Sequence, residues 1–489
     1  MRKNIFLIAL TVLMAAPAAQ AQFDETNNLF YHTLRTPQSN IYNPAFFPTN
    51  NTFYIMLPGV DVQFGSPLSM NNIIYYDRPS NRTVIDLNRI LSSLEEENDF
   101  RLGADVNLVG FGFNVKNTYI NFNTRLVNHI GVGLPISTIN ALLEGNVGDD
   151  NNPRPVVEIV NGDILNATSY LETSIGVAQR FEPINLTVGL RAKVLYGIAN
   201  VQTDNTKIVL NTDPALDSVS ASIYYQIQSA TFAPYDTTQK KFLFNVGDLF
   251  NIGQANTGFS FDIGARYDFG PFTFSLAIND LSAGIHWKNN VTTWTPSNGQ
   301  GVITFNGLSV NSMLDNGSFN IDSLTAYLQN QLNGMTPHRV ADGDYWFSIP
   351  TKFNLGASYS FAKIFRAGFL FHGQLDRGLF CKSNSLSFGT PAPNTFRWNT
   401  TLSIGANLFN WVEVIAANSF VNDGSSFDVL NPGVGIVLTP GTVFQVYLMA
   451  DYLSSFYLTD SKALNLKFGL NLLFGKGSRS IIEETAARF

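Results

Sequence analysis

The stretch ALNLKFGLNLLF, residues 463–474, decides how the rest of the chain is read. Leu464, Leu466, Phe468, Leu470, Leu472 and Phe474 fall on one side, and Asn465, Lys467, Gly469 and Asn471 on the other. Successive side chains of a strand point to opposite faces, so this run is a strand with one apolar and one polar face. The alternation ends at Phe474, and GKGSRSIIEETAARF, residues 475–489, has no period. Such an ending predicts a last strand that closes a sheet, with residues 476–489 as a tail beyond it.

The same division recurs upstream. Ile184, Leu186, Val188, Leu190, Ala192, Val194, Tyr196 and Ile198 oppose Asn185, Thr187, Gly189, Arg191, Lys193 and Gly197, with Leu195 the exception. Phe259, Phe261, Ile263, Ala265, Tyr267 and Phe269 oppose Ser260, Asp262, Gly264, Arg266 and Asp268. Phe353, Leu355, Ala357, Tyr359 and Phe361 oppose Lys352, Asn354, Gly356, Ser358 and Ser360. Trp398, Leu402, Ile404, Ala406 and Leu408 oppose Arg397, Asn399, Thr401, Ser403, Gly405 and Asn407. Residues 103–115 change phase near Val109 and Gly110, which predicts a bulge. Strands of a soluble sandwich run about 5–6 residues, whereas a tilted membrane strand needs about 9–11. These segments are of the second kind, and their aromatic ends suit interfacial girdles.

Composition agrees. Only 14% of the 489 residues are charged, while the chain holds 40 Phe and 18 Tyr. A soluble domain averages about 25% charged residues. Past the N-terminus no run approaches 18 consecutive apolar residues, so the apolar surface is spread by alternation. The net charge of −7 argues against a nucleic-acid partner. With Cys381 as the only cysteine, no intrachain disulfide can form, and a small packed residue is the plain reading of it. Arg2, Lys3, the apolar run from Ile5 to Ala16 and Ala19-Gln20-Ala21 predict a secretory leader cleaved before Gln22. That run is too short for a membrane anchor.

Short turns are predicted at Lys116-Asn117, Glu182-Pro183, Gly270-Pro271, Ala362-Lys363, Asn410-Trp411 and Pro440-Gly441. Long connections lie at 66–101, 133–167, 204–255, 288–345, 377–395, 422–428 and 453–462, and the two kinds interleave. Six turns and seven loops join fourteen strands, provided that SASIYYQIQSA, residues 220–230, belongs to an outer excursion and does not cross. An even count puts both termini on the periplasmic side. The expected fold is therefore all-β: a transmembrane antiparallel barrel of about fourteen strands over residues 52–475, preceded by a leader (1–21) and a plug (22–51) and followed by a tail (476–489). Helix-like pieces in the long loops, SLTAYLQNQL and TVIDLNRILSSLEEEN, either roof a groove or bury their own apolar sides.

The segment SNIYNPAFFPTN, residues 39–50, carries Asn43, Pro44, Ala45 and Phe46 just before the first strand. It resembles the N-terminal region of the long-chain fatty acid transporter-like barrels, including the related secretion-system barrels of Bacteroidetes. That resemblance implies that Asn43, Pro44, Ala45 and Phe46 belong to a hatch folded into the barrel. FSLAINDLSAGIHW and IPTKFNLGASYSF are similar to segments of a poorly characterised Bacteroidetes outer-membrane barrel family with an early Asn-Pro-Ala-Phe. This second resemblance spans most of the chain and implies an outer-membrane location in a Gram-negative cell, with almost no functional content.

The polar faces hold Arg125, Arg191, Lys193, Arg266, Lys352, Arg397 and Lys467 against fewer acids, among them Asp105, Asp262 and Asp268. Two readings stand: inward cations favour an anionic ligand, or they pair with lumen acids and with Asp24 and Glu25 of the plug. The histidines show no metal-ligand spacing, and no nucleophile motif occurs, so no catalytic residue, metal site or cofactor is expected. Lys467, Gly469, Leu472 and Phe474 resemble the signal by which the outer-membrane insertion machinery recognises last strands. The expected function is a channel for hydrophobic or amphipathic small molecules. The alternative is a non-transporting scaffold whose outer loops dock a secretion, assembly or surface-protein partner.

Overall fold

The computed structural model describes residues 28–33, 35–48, 51–77, 82–85, 87–94, 97–136, 156–162, 165–213, 218–231, 235–236, 241–242, 256–296, 301–305, 314–315, 318–319, 337–341, 343–362, 364–375, 396–409, 411–422, 427–451 and 462–475. The expected leader and tail, Cys381, Asp24, Glu25 and the helix-like SLTAYLQNQL lie outside these residues.

Fourteen strands cross the barrel: β1 (Phe53–Gly65), β2 (Glu97–Val115), β3 (Thr118–Pro135), β4 (Leu165–Phe181), β5 (Leu186–Asp213), β6 (Thr257–Phe269) and β7 (Phe272–Trp287). They continue as β8 (Thr351–Phe361), β9 (Phe365–Leu375), β10 (Phe396–Leu408), β11 (Val412–Asn422), β12 (Phe427–Leu438), β13 (Phe444–Asp451) and β14 (Ala463–Phe474). Each pairs antiparallel with its neighbours, and β14 closes the ring on β1 through Phe53↔Phe474, Val60↔Phe468 and Gly65↔Ala463. Closure leaves no open edge in the barrel wall, which is the condition for a sheet in lipid.

The strand at Ser218–Thr231 does not cross. It pairs with the outer part of β5, from Ala199 to Asp213, while β6 takes up β5 directly over Leu186–Tyr196. β5 is 28 residues long, and its outer part stands beyond the barrel as one strand of a loop sheet. Among the described residues of TVIDLNRILSSLEEEN, Leu87–Ser92 is helical, and Arg82–Ile85 is a strand paired with Ile74–Asp77.

The six short turns fall between strands where expected, with Lys363 and Asn410 outside the described residues, and at or beside each stands a residue with positive φ: Lys116, Asn185, Gly270, Ala362, Phe409 and Gly441. Around them stands a ring of aromatic side chains, in which Phe272 meets Tyr359 at 4.8 Å, Phe361 meets Phe365 at 5.6 Å and Phe53 meets Phe474 at 5.8 Å. Above it the outer face is apolar, with Leu190, Phe261, Ile263, Leu402 and Ile404 exposed, while Asp262, Arg191 and Lys193 are buried within. An apolar band with an aromatic girdle outside and polar side chains inside is the surface of a barrel immersed in a bilayer. The phase change in β2 is a bulge, as expected: the pairing with β3 shifts between Asn107 and Val109, leaving Leu108 and Val109 both outward.

Candidate functional site: a plugged lumen

Residues 28–33 and 35–48 lie inside the barrel. Helices α1 (Asn28–His32) and α2 (Ser39–Tyr42) are only one turn each, and short polar side chains supply the remaining backbone partners. Thr33 Oγ1 donates to the Phe30 carbonyl (3.0 Å), Ser39 Oγ to Thr36 (2.9 Å) and Asn40 Nδ2 to Pro44 (3.0 Å), while Asn43 Oδ1 accepts the Ala45 N–H (2.9 Å). Such local bonds let a non-repetitive chain be buried without orphaned backbone groups.

The wall is shaped to receive it. Gly189 on β5 and Gly264 on β6 are directly paired and face inward, and a Cβ on either would overlap Asn43-Pro44-Ala45. Gly356 likewise makes room for Tyr31, and Gly368 for His32. The Tyr42 carbonyl accepts from Asn279 Nδ2 (2.8 Å) and Asn354 Nδ2 (3.3 Å). Asn43 Nδ2 donates to the Leu276 carbonyl (3.4 Å), Tyr31 OH donates to Ser275 Oγ (3.0 Å), and Gln38 exchanges hydrogen bonds with Asn471 (2.8 and 3.0 Å). On the opposite flank Leu29 and Phe30 pack against Ile415, Val437, Tyr447 and Met449. Phe46 meets Tyr31 edge-on at 5.0 Å and touches Leu370. Burial, assisted by the charge of Arg366, pushes the His32 imidazole down to about 3, and burial pushes the Tyr31 hydroxyl up to about 12.

Beside the plug runs a layer of ion pairs drawn from six strands. Arg125 grips Glu172 with two bonds of 3.0 Å and stands 3.6 Å from Asp105. Lys193 Nζ lies 2.7 Å from Asp280, 2.9 Å from Asp262 and 3.9 Å from Glu172. Arg191 is shared between wall and plug: it reaches Asp262 at 3.2 Å, the Ile41 carbonyl at 2.9 Å, and both oxygens of Asn40. Here the plug offers neutral oxygens to a layer whose charges are balanced largely within the wall. A double irregularity in β7 completes it. Ile278, Leu281 and Gly284 pair with Ile263, Phe261 and Phe259, and Asp280 and Ser282 take positive φ. The Asp280 N–H is thereby turned to Asp262 Oδ1 (2.8 Å).

On the outer side of the ion pairs, Val127, Tyr170, Leu195, Ala283, Ile285, Trp287, Val291, Tyr345 and Ile349 form a buried apolar layer. Leu195, the exception in the alternation of β5, is one of its centres.

Of the charged residues predicted for the lumen, Arg125, Arg191, Lys193 and Asp262 meet in one network. Arg266 is separate, paired with Asp268 at 2.9 Å near a turn. Lys352 lies half-buried on β8 next to the plug-binding row, and the side chain of Arg397 lies outside the described set. Lys467 is buried, paired with Asp451 and 5.8 Å from the Phe30 ring. Glu172 and Asp280 were not singled out from the sequence. Asp280 sits on the irregular stretch, where alternation no longer tells inside from outside. The glycine seat was missed because glycine carries no apolar or polar signal of its own.

Fold and site together define a membrane β-barrel closed by its own N-terminal segment. The chain belongs to a family of unknown function, DUF5723, whose model matches residues 44–451. Among solved structures, it is similar to the Pseudomonas putida toluene transporter TodX at 10% identity, over 91% of this chain and 95% of that one, with a TM-score of 0.42. The Ralstonia pickettii toluene transporter TbuX matches at 7% identity over 90% and 94% of the two chains, TM-score 0.43. A Pseudomonas aeruginosa FadL homologue matches at 8% over 93% and 99%, TM-score 0.43. No curated protein sequence matches the chain.

Proposed function

We propose that the protein is a plugged outer-membrane channel of a Gram-negative cell that admits hydrophobic or amphipathic small molecules, with residues 28–48 as its gate. The observation that carries this reading is the way the gate is held. Its hydrogen bonds to Arg191 come from carbonyl and amide oxygens of Asn40 and Ile41, so its departure would leave Arg191 still paired with Asp262. Breaking a buried ion pair costs about 3–5 kcal/mol, and this gate avoids that cost. The apolar layer on the outer side supplies a surface for such cargo where a polar solute would be disfavoured. No catalytic role, metal or cofactor forms part of the proposal.

The test is conductance and uptake of a hydrophobic tracer in reconstituted membranes, comparing the full chain with a variant lacking residues 23–50. An open, tracer-permeable variant supports a gated channel, and unchanged conductance and uptake would end it. The scaffold reading is favoured by one observation, the loop sheet built on the outer part of β5 by Ser218–Thr231, Thr292–Pro296 and Gly301–Phe305. A stoichiometric protein partner retained after mild extraction would support it.

A further inference from the structure

Within the outer apolar layer one polar group lacks what its neighbours have. Trp287 is fully buried, and among the described residues its indole Nε1 has no hydrogen-bond partner. Tyr345, stacked beside it at 6.5 Å, donates its hydroxyl to Asn200 Oδ1 at 2.6 Å. The six-membered ring of Trp287 lies over Gly197, where no side chain would fit, and small residues Ala230 and Ala283 share the layer. A buried donor left without an acceptor is costly, and native structures keep few of them. Here it stands in an apolar part of the lumen, on the outer side of the gate.

The layer beneath restricts what could satisfy it. Glu172 and Leu195 are register partners, and Lys193 is two residues from Leu195 on the same face of β5. The cations of that layer, Arg125, Arg191 and Lys193, are taken up by Asp105, Glu172, Asp262 and Asp280. Four carboxylates against three cations offer no welcome to a further anion.

We propose that the layer around Trp287 is a binding site for a neutral, apolar molecule of about ring size that carries one hydrogen-bond acceptor, with the Trp287 Nε1–H as the donor. The proposal rests on the channel reading for its purpose and deepens it by naming the class of cargo: neutral acceptor-bearing molecules in preference to carboxylates. Ligand enters by displacing contacts between side chains of the layer, and the indole supplies orientation.

The experiment is equilibrium binding to the full chain in detergent, with three fluorescent probes of similar size: a naphthyl methyl ketone, naphthalene and naphthoate. The ketone is expected to bind about 5–10-fold tighter than naphthalene, the usual worth of one hydrogen bond, with naphthoate weakest. Trp287→Phe removes the donor and keeps an aromatic ring in the layer, and in that variant the ketone should bind no tighter than naphthalene. Ile285→Asn should weaken both. Heat-modifiable gel mobility confirms that each variant is a folded barrel. Equal binding of ketone and naphthalene by the parent chain, or an equal loss of both in Trp287→Phe, overturns the proposal. Binding with the expected selectivity but no tracer flux would keep this site and remove the transport reading. Flux without that selectivity would do the reverse.

Discussion

At the scale of single residues, the seat of the N-terminal segment depends on the absence of side chains as much as on their presence. Gly189 and Gly264 face each other beneath Asn43-Pro44-Ala45, so any Cβ there must push the segment outward. Gly264→Val is expected to cost the closed state about 1–3 kcal/mol through overpacking, seen as more frequent channel openings in a planar bilayer. An equally quiet variant would mean that the segment is not seated on this pair. His32 provides a pH dependence whose sign follows from its burial. The closed state holds it at about 3, against an ordinary value of about 6.5 when released, so the released state binds more protons between those limits. Closure is fully stable above about pH 6.5 and weakens as pH falls. At pH 5 the loss is about 2 kcal/mol, or about 30-fold in the opening equilibrium, relative to pH 8. Arg366, itself paired with Glu413 at 3.3 Å, is the charged neighbour that adds to the effect. Protease sensitivity of the N-terminal segment measured against pH should show this slope, and His32→Asn should flatten it. Asn43 and Arg191 could be picked from the sequence, whereas the glycines and Asp280 could not, because their roles exist only once strands are in register.

At the scale of elements, alternation was sufficient for strands and turns and insufficient wherever a strand departs from strict pairing. The bulge at Asn107–Val109 announced itself as a change of phase. The double irregularity of β7 did not, since two inserted residues restore the original parity and leave only local strain. Leu195 showed as an error in the pattern and is in fact inward and apolar by design of the layer it joins. The short turns carry a cost that the sequence does not advertise. Lys116, Ala362 and Phe409 adopt positive φ without being glycine or asparagine, a conformation disfavoured by about 1–2 kcal/mol. Ala362→Gly relieves this at an exposed turn with no packing to lose, and part of the gain is offset by glycine's greater freedom in the unfolded chain. The variant should be more stable by about 0.5–1 kcal/mol, read as a higher midpoint of thermal or urea unfolding in detergent. A lower midpoint would show that the Ala362 side chain contributes contacts beyond its backbone.

At the scale of the whole molecule, strand number was legible because membrane crossing imposes parity: one extra crossing at Ser218–Thr231 would have reversed every later turn. Beyond the resemblance that puts Asn43, Pro44, Ala45 and Phe46 in a hatch, a lone sequence could not convey how the lumen is filled, since the N-terminal segment, the ion pairs and the apolar layer join residues far apart in the chain. Closure itself is the longest-range event of all. β14 meets β1 across the whole length of the barrel sequence, so this pair carries the largest loop-closure cost in the wall. The final strand has features suited to the task. Gly469 leaves space for the Tyr447 ring, Lys467 fixes the inner face through Asp451, and Leu472 and Phe474 present the outer face, with Phe474 against Phe53. If these residues also serve as the recognition signal of the insertion machinery, the end of β14 matters and the chain beyond it does not. Phe474→Asp should then lower the amount of folded barrel in the outer membrane several-fold, because a carboxylate replaces an apolar contact on the lipid face next to the closing seam. Deletion of residues 478–489 should leave that amount unchanged. Both would be scored as heat-modifiable protein in isolated outer membranes. A truncated chain that fails to insert, beside a Phe474→Asp chain that inserts normally, would move the assembly signal out of β14 and into the terminal residues ending at Phe489.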